Sequence, residues 1–240
     1  MTEIDLSDLA APRDGSHSLR GYLATPAGDP PWPGVVLIHE IFGLDEIQKR
    51  HADQLAGLGY LTLAVDLFSE GGAKRCLVST MTAMIRGKGR AFADIDSARA
   101  YLAGSAQCTG RIGVIGFCMG GGFALLTANT GYDVASVNYG VLPRELDTAL
   151  AGACPMVGSY GRRDPLIRGA TRKLNAALDR AGVEHDVKEY PTAGHAFIND
   201  TEVGPQALRP LLRVAGIEPD PDAAADAWGR IKQFFAAQLK

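Results

Sequence analysis

A cysteine stands among glycines in the segment Gly-Phe-Cys-Met-Gly-Gly at residues 116–121. An apolar, strand-like run at residues 111–115 precedes it, and a helical pattern follows at about residues 119–128. The chain is strained in such a turn, so the positions two before and two after the central residue must be small. The pattern predicts a nucleophile elbow, in which the Cys118 thiol stands at the positive end of a helix that stabilises a thiolate. The alternative is a buried structural cysteine beside a glycine-rich turn.

A thiol nucleophile needs a base, and the base needs an acid that orients it. After Cys118 the chain offers Asp164 at the end of one strand pattern and His195 on the loop after the next. This order of nucleophile, acid and base, at strand ends where open α/β sheets bind ligands, predicts that the three side chains act together. Taken singly, Asp164 before Pro165 could be a helix cap, and His195 could be a turn histidine. Among the other histidines only His39, at a strand end, competes as the base.

Hydrolysis of a carbonyl compound also needs two backbone N–H groups that stabilise the negative charge on oxygen. We expect Met119, directly after the cysteine, to supply one, and Ile41 in the loop at residues 39–43 to supply the other. This loop is not a zinc motif, because it lacks the second histidine of HExxH. The four cysteines have no metal-ligand spacing. The proposed chemistry requires neither a metal nor an organic cofactor.

Strand and helix patterns alternate along the chain, and strand patterns such as residues 34–39 are continuously apolar. This alternation predicts an α/β-hydrolase fold with a mostly parallel central sheet, helices on both faces and a leading antiparallel hairpin. We expect one domain over residues 1–240, with its core at 18–238 and possible lid or pocket loops at 68–90 and 199–221. The predicted helices are 45–58, 91–102, 165–181 and 223–239, with a short helix near 77–85.

Composition excludes several classes of partner. The formal net charge is −3 and there is no basic stripe, which argues against binding to nucleic acid. The longest apolar runs are too short to cross a bilayer, so no membrane association is expected. Residues 1–14 lack the basic segment and apolar run of a signal peptide. We therefore expect a cytoplasmic protein with reduced thiols.

Five motifs together resemble the dienelactone hydrolase family, over roughly residues 18 to 238. The resemblance implies a Cys118–His195–Asp164 triad and a second acid, Glu40, close to the thiol. It also implies hydrolysis of the lactone ester of a dienelactone to an open-chain acid. Because like charges repel, we hypothesise that Glu40 keeps free Cys118 as a thiol until substrate displaces the carboxylate. The motifs are His-Glu-Ile-Phe-Gly at 39–43, Asp-Leu-Phe at 66–68, Gly-Phe-Cys-Met-Gly-Gly at 116–121, Gly-Arg-Arg-Asp at 161–164 and Gly-His-Ala-Phe at 194–197.

The substrate-binding positions depart from the family pattern, in which two arginines bind the carboxylate of the dienelactone. Arg75 is the candidate for the first arginine, with Arg86 and Arg90 as alternatives. The position of the second holds Asn199, which cannot form a charged bidentate contact, and the adjacent Asp200 is unfavourable for an anion. The predicted substrate contacts are Arg75, Phe42, Asn199 and Phe197.

The sequence therefore predicts a hydrolase that cleaves a small carboxylic ester or lactone through Cys118 and a thioester acyl-enzyme. The alternative is a non-catalytic α/β-hydrolase scaffold that binds a small molecule or a protein partner, against which the intact triad argues. A nucleotide-binding oxidoreductase is disfavoured, because the glycine-rich turn matches neither GxGxxG nor GxxxxGK[ST].

Overall fold

The computed structural model describes residues 2–214 and 216–240. Within these residues eight strands form one sheet in the order β1-β2-β4-β3-β5-β6-β7-β8. The β1–β2 and β2–β4 pairs are antiparallel, and all strands from β4 through β3 to β8 are parallel. The strands are β1 (Thr2–Asp5), β2 (Arg20–Ala24), β3 (Trp32–Ile38), β4 (Leu61–Asp66), β5 (Cys108–Phe117), β6 (Val134–Asn138), β7 (Met156–Gly161) and β8 (His185–Tyr190).

Helices cover both faces of this sheet. Consecutive residues of β3 point to opposite faces, and Val35, Val36, Leu37 and Ile38 are all fully buried. The predicted α/β-hydrolase fold is confirmed. The helices are α1 (Ser7–Ala10), α2 (Glu46–Gly57), α3 (Ala73–Arg86), α4 (Arg90–Gly104), α5 (Met119–Thr127), α6 (Leu146–Leu150), α7 (Ala170–Ala181), α8 (Arg209–Val214) and α9 (Pro221–Leu239), with short 3-10 turns at Ala11–Arg13 and Gln206–Leu208.

Two helices begin more than three residues from their predicted starts. α3 is 14 residues long and not a short helix near 77–85, because its buried positions 76, 80, 83 and 84 recur at helical spacing from its first turn. α7 begins at Ala170 and not at 165, because Gly169 adopts a left-handed conformation with φ 72°. No helix in the described part of the chain combines the length and the apolar character that crossing a membrane requires.

Candidate active site

The turn between β5 and α5 places Cys118 in a strained conformation, with φ 54° and ψ −115°. The glycines on either side allow this turn to pack. A Cβ on Gly116 would lie 1.9 Å from the Gly120 carbonyl oxygen, and a Cβ on Gly120 would lie 2.0 Å from that of Ile38. The backbone therefore accepts only glycine at both positions, and Cys118 is left partly exposed at the first turn of α5.

His195 and Asp164 are in direct contact. His195 Nδ1 lies 2.5 Å from Asp164 Oδ2, and both side chains are buried. The other carboxylate oxygen of Asp164 accepts a hydrogen bond from the Leu166 backbone at 2.9 Å, so the residue caps a local turn as well as orienting the imidazole. The His195 N–H donates to the Gly216 carbonyl at 2.8 Å, which fixes the loop that carries the ring.

The second ring nitrogen of His195 faces the site. Nε2 has no hydrogen-bond partner among the described residues. Burial by itself lowers the pKa of His195, but the hydrogen bond and charge of Asp164, together with the nearby Cys118 sulfur, outweigh it and raise the pKa to about 10. The surroundings of the ring thus favour an imidazolium, which is the form His195 would take after accepting a proton from the thiol.

His39 is excluded as the base by its own hydrogen bonds. Its Nε2 accepts from the Leu67 N–H at 3.1 Å, so the ring proton is on Nδ1, which donates to the Glu40 carbonyl at 2.6 Å. Burial lowers the pKa of His39, which keeps the ring neutral. The ring therefore fixes the loop after β3. The Gly43 N–H donates to the same carbonyl at 3.1 Å.

The two predicted oxyanion donors lie on segments that touch. Met119 is the first residue of α5, where an N–H has no partner within the helix. Ile41 is in the loop after β3, and that loop packs against α5 at Gly120. Ile41 is partly exposed, as is Phe42 beside it. Both donors are thus carried by backbone that close packing holds in place.

Glu40 is buried and held by uncharged donors. The Tyr139 hydroxyl donates to Oε1 at 2.9 Å, and Asn199 Nδ2 lies 3.2 and 3.3 Å from the two carboxylate oxygens. Burial raises the pKa of Glu40, while the charge of His195 and these two donors oppose the increase. The Tyr139 ring also packs edge-on against the His195 ring, with centroids 5.1 Å apart. Glu40 therefore lies in the same buried cluster as the proposed base.

Asn199, predicted to contact substrate, points inward in this structure. The residue is buried, and its Oδ1 lies 2.9 Å from His51 Nε2 while its amide nitrogen faces Glu40. Asp200 points the other way and forms two hydrogen bonds with Arg50, at 2.6 and 2.7 Å. The negative charge that the sequence places beside the site is therefore paired.

The sequence did not reveal two members of this cluster, Tyr139 and His51. His51 lies on the apolar stripe of α2, between Ile47 and Leu55. A polar side chain on a buried stripe must find a partner, and this is the signal that could have identified it.

Phe197, also predicted to contact substrate, is fully buried and packs between the rings of Tyr139 and Tyr190. The Phe197 ring is therefore not accessible to a substrate in this structure. Its packing against Tyr139 helps to hold that ring in position.

The three candidate arginines do not line the groove beside the loop that follows β3. Arg75 and Arg86 are exposed, and Arg90 forms an ion pair with Glu70 at 2.5 Å. The groove has a volume of about 760 Å³. Among the described residues its apolar lining includes Ile41, Phe42, Ile47, Leu77 and Leu208, and its basic lining is Arg50, Lys74 and Arg209.

Metal binding has no visible basis in the described part of the chain, since no three His, Cys, Asp or Glu side chains are grouped so that they could hold an ion.

The parallel sheet, the strained elbow and the buried His195–Asp164 pair define an α/β hydrolase. The chain belongs to the dienelactone hydrolase family, whose profile it matches over residues 19–239. The predicted family and the prediction of a carboxylic-ester hydrolase are thereby confirmed.

Relatives and solved structures agree with this assignment. The chain is 32% identical over 232 residues to a Methylorubrum extorquens protein provisionally named carboxymethylenebutenolidase, covering 89% of this chain and 75% of that one. It is 29% identical over 260 residues to a Saccharolobus solfataricus protein with the same provisional name, covering 92% and 95%. The crystal structure of a dienelactone hydrolase-like promiscuous phosphotriesterase from metagenomic libraries superposes with a TM-score of 0.76 at 26% identity, covering 92% and 93%.

Proposed function

We propose that this protein hydrolyses a neutral carboxylic ester or lactone, with Cys118 as nucleophile and a thioester acyl-enzyme as intermediate. The observation that carries the proposal is the 2.5 Å contact between His195 and Asp164, which leaves Nε2 of the ring free beside the elbow cysteine. A buried carboxylate that orients an imidazole next to a strained nucleophile is the arrangement that acyl transfer requires.

The reaction follows from these positions. The proton of the Cys118 thiol is held on His195 Nε2 while the sulfur attacks the carbonyl carbon, and the N–H groups of Ile41 and Met119 stabilise the oxyanion. The carbon–oxygen bond of the ester then breaks, and the alkoxide leaves with the proton from the imidazolium. A water molecule attacks the thioester with His195 as base. Release of the acid returns the proton to sulfur.

The surroundings of the site favour an uncharged substrate. Asn199 replaces the second arginine of the family pattern and is turned toward Glu40, so it supplies no positive charge to a substrate carboxylate. The nearby Arg50 is paired with Asp200. The other basic residues of the groove, Lys74 and Arg209, share its lining with the acidic residues Asp45, Glu46 and Glu202. The adjoining groove, with Phe42 and Leu77 in its lining, suits the apolar part of an ester.

The primary test compares dienelactone with a neutral p-nitrophenyl ester, using wild type and Cys118→Ala. We expect faster hydrolysis of the neutral ester, complete loss of activity in the variant, and an acyl adduct on Cys118 in intact-protein mass spectrometry. Hydrolysis that persists in Cys118→Ala would disprove the nucleophile. Preference for dienelactone would disprove the substrate class, and ligand binding without release of acid from either substrate would favour the scaffold.

A second test addresses the groove. Leu77 lines it, whereas its neighbour Val78 is 77% exposed and lies outside its lining. Each buried methylene is worth about 0.8 kcal/mol, so exposing about two methylenes of the acyl chain should lower kcat/KM for p-nitrophenyl octanoate about tenfold relative to the acetate. We expect this change in Leu77→Asn and not in Val78→Asn. Equal chain-length profiles for the two variants would show that the groove does not bind substrate.

Phosphotriester hydrolysis is a second candidate, favoured by the similarity to the metagenomic phosphotriesterase. The same thiolate would attack phosphorus in place of a carbonyl carbon. Release of p-nitrophenol from a neutral phosphotriester by wild type, and its absence with Cys118→Ala, would support this activity; no release by wild type would exclude it.

A further inference from the structure

His51 is a buried histidine that the proposed reaction does not use. It lies on α2, and its ring stacks on Phe117 with centroids 4.7 Å apart and planes 24° apart. The Trp228 ring of α9 packs on it with centroids 5.4 Å apart. The ring is thus fixed by two aromatic neighbours, and its Nε2 is directed at the side-chain oxygen of Asn199.

The direction of each hydrogen bond around Asn199 follows from the chemistry of its partners. An ionised carboxylate only accepts hydrogen bonds, so the NH₂ group of Asn199 faces Glu40. The amide oxygen then faces His51, and Nε2 of that ring must carry the proton that it donates. The three side chains form one chain of donors, from His51 through Asn199 to Glu40.

The opposite orientation of the amide would have a chemical consequence. If the amide of Asn199 turned over, its oxygen would face the carboxyl of Glu40, and two sets of lone pairs would oppose each other unless Glu40 were protonated. The NH₂ group would then face Nε2 of His51, which could accept only if its proton moved to Nδ1. The tautomer of His51 therefore selects the orientation of the amide.

Charged and titratable groups around these three hydrogen-bonded side chains lie on several helices, strands and loops. On the His51 side these are Arg50 on the same helix, Asp45 at its N-terminus and Asp200 after Asn199. Glu40 faces the ring of His195 and the hydroxyl of Tyr139 on the other side, as well as Asp45.

We propose that His51 is a positioning residue: by donating from Nε2 to Asn199, it keeps the amide nitrogen on Glu40 and so determines how that carboxyl is held beside His195. The role in hydrolysis rests on the proposed function, since it acts through the charge that Glu40 presents to the base. The hydrogen bonds themselves exist whatever the reaction.

A matched pair of variants separates packing from hydrogen bonding. His51→Phe keeps a ring on Phe117 and Trp228 but has no donor, whereas His51→Gln keeps a donor but has no ring. We expect the titration midpoint of Glu40, followed by carboxyl ¹³C NMR and assigned by its loss in Glu40→Gln, to rise by about one pKa unit in His51→Phe. In His51→Gln it should return toward the wild-type value. His185→Phe, at the opposite edge of the sheet, is the control and should leave it unchanged.

The acidic limb of the pH profile of kcat/KM should move with the Glu40 midpoint. It should shift to higher pH in His51→Phe and return toward the wild-type position in His51→Gln. A role in packing alone would leave this limb unmoved or would disturb both variants alike. Equal Glu40 midpoints in wild type and His51→Phe would overturn the proposal.

The wild-type protein provides a measurement that needs no variant to fold. We expect ¹⁵N NMR of the histidine rings to show His51 neutral with its proton on Nε2; a proton on Nδ1 would overturn the proposal. If no ester is hydrolysed, the proposed function fails, whereas the tautomer and the Glu40 titration still decide the role of His51.

Discussion

Adding one methyl group to the elbow should separate Cys118, the proposed nucleophile, from the loop proposed to bind the oxyanion. In Gly120→Ala the new Cβ would lie 2.0 Å from the Ile38 carbonyl oxygen, 2.6 Å from its carbon and 2.8 Å from the His39 oxygen. All three atoms belong to the backbone, so no side chain can rotate away. Real Cβ contacts are almost never below 3.0 Å, so the first turn of α5 must move from the end of β3 by at least 1.0 Å.

The expected effect has two parts. Overpacking of this kind costs about 1–3 kcal/mol of unfolding free energy. A misplacement of about 1 Å between a nucleophile and the groups that stabilise its transition state costs about 100-fold in rate. We therefore expect kcat/KM of Gly120→Ala on p-nitrophenyl acetate to fall about 100-fold under conditions where circular dichroism shows the variant to be folded.

Gly229→Ala is the matched control, since Gly229 lies within α9 and a Cβ there would meet no atom within 4 Å. Replacing a helical glycine that is free of contacts should raise stability by about 0.5–1 kcal/mol and leave kcat/KM unchanged. Urea denaturation measures the change in unfolding free energy. The reasoning is refuted if Gly120→Ala keeps wild-type stability and a kcat/KM within about threefold of wild type.

Two further predictions concern the charges of the site. Since the folded-state pKa of His195 is raised to about 10, its contribution to stability is complete below the unfolded value of about 6.5 and disappears as the pH rises through the folded value. Asp164→Asn should therefore lower the unfolding free energy by about 3–5 kcal/mol near pH 6 and by less near pH 10; urea denaturation at both values measures this, and an equal loss would contradict it. Glu40→Gln should increase the thiolate fraction of unliganded Cys118, followed by ultraviolet titration of the thiol, because it removes a carboxylate that the family resemblance places close to the thiol. Identical thiolate fractions in wild type and Glu40→Gln, with and without a bound substrate analogue, would exclude the proposed control by Glu40.

Local patterns determined much of this protein. Glycine at 116 is required by a contact with Gly120, four positions along the chain, so this part of the elbow could be recognised from sequence alone, whereas the contact that requires glycine at 120 is with Ile38. Apolar runs such as β3 are buried on both faces, and each such run is complete within a few residues. The positions of Asp164 and His195 at strand ends were enough to predict that these two side chains come together, because parallel strands end at one edge of the sheet.

Tertiary structure alone decided which way the polar side chains of the site point. Asn199 turns toward Glu40, 159 positions away, and accepts from His51, 148 positions away. His39 is occupied by the Leu67 backbone and not available as a base. A hydrogen bond depends on a few tenths of an ångström and on direction, and these are set by packing between elements distant in sequence. The sequence determined the fold and the candidate reactive groups, while tertiary packing decided which of them face the substrate and which hold one another.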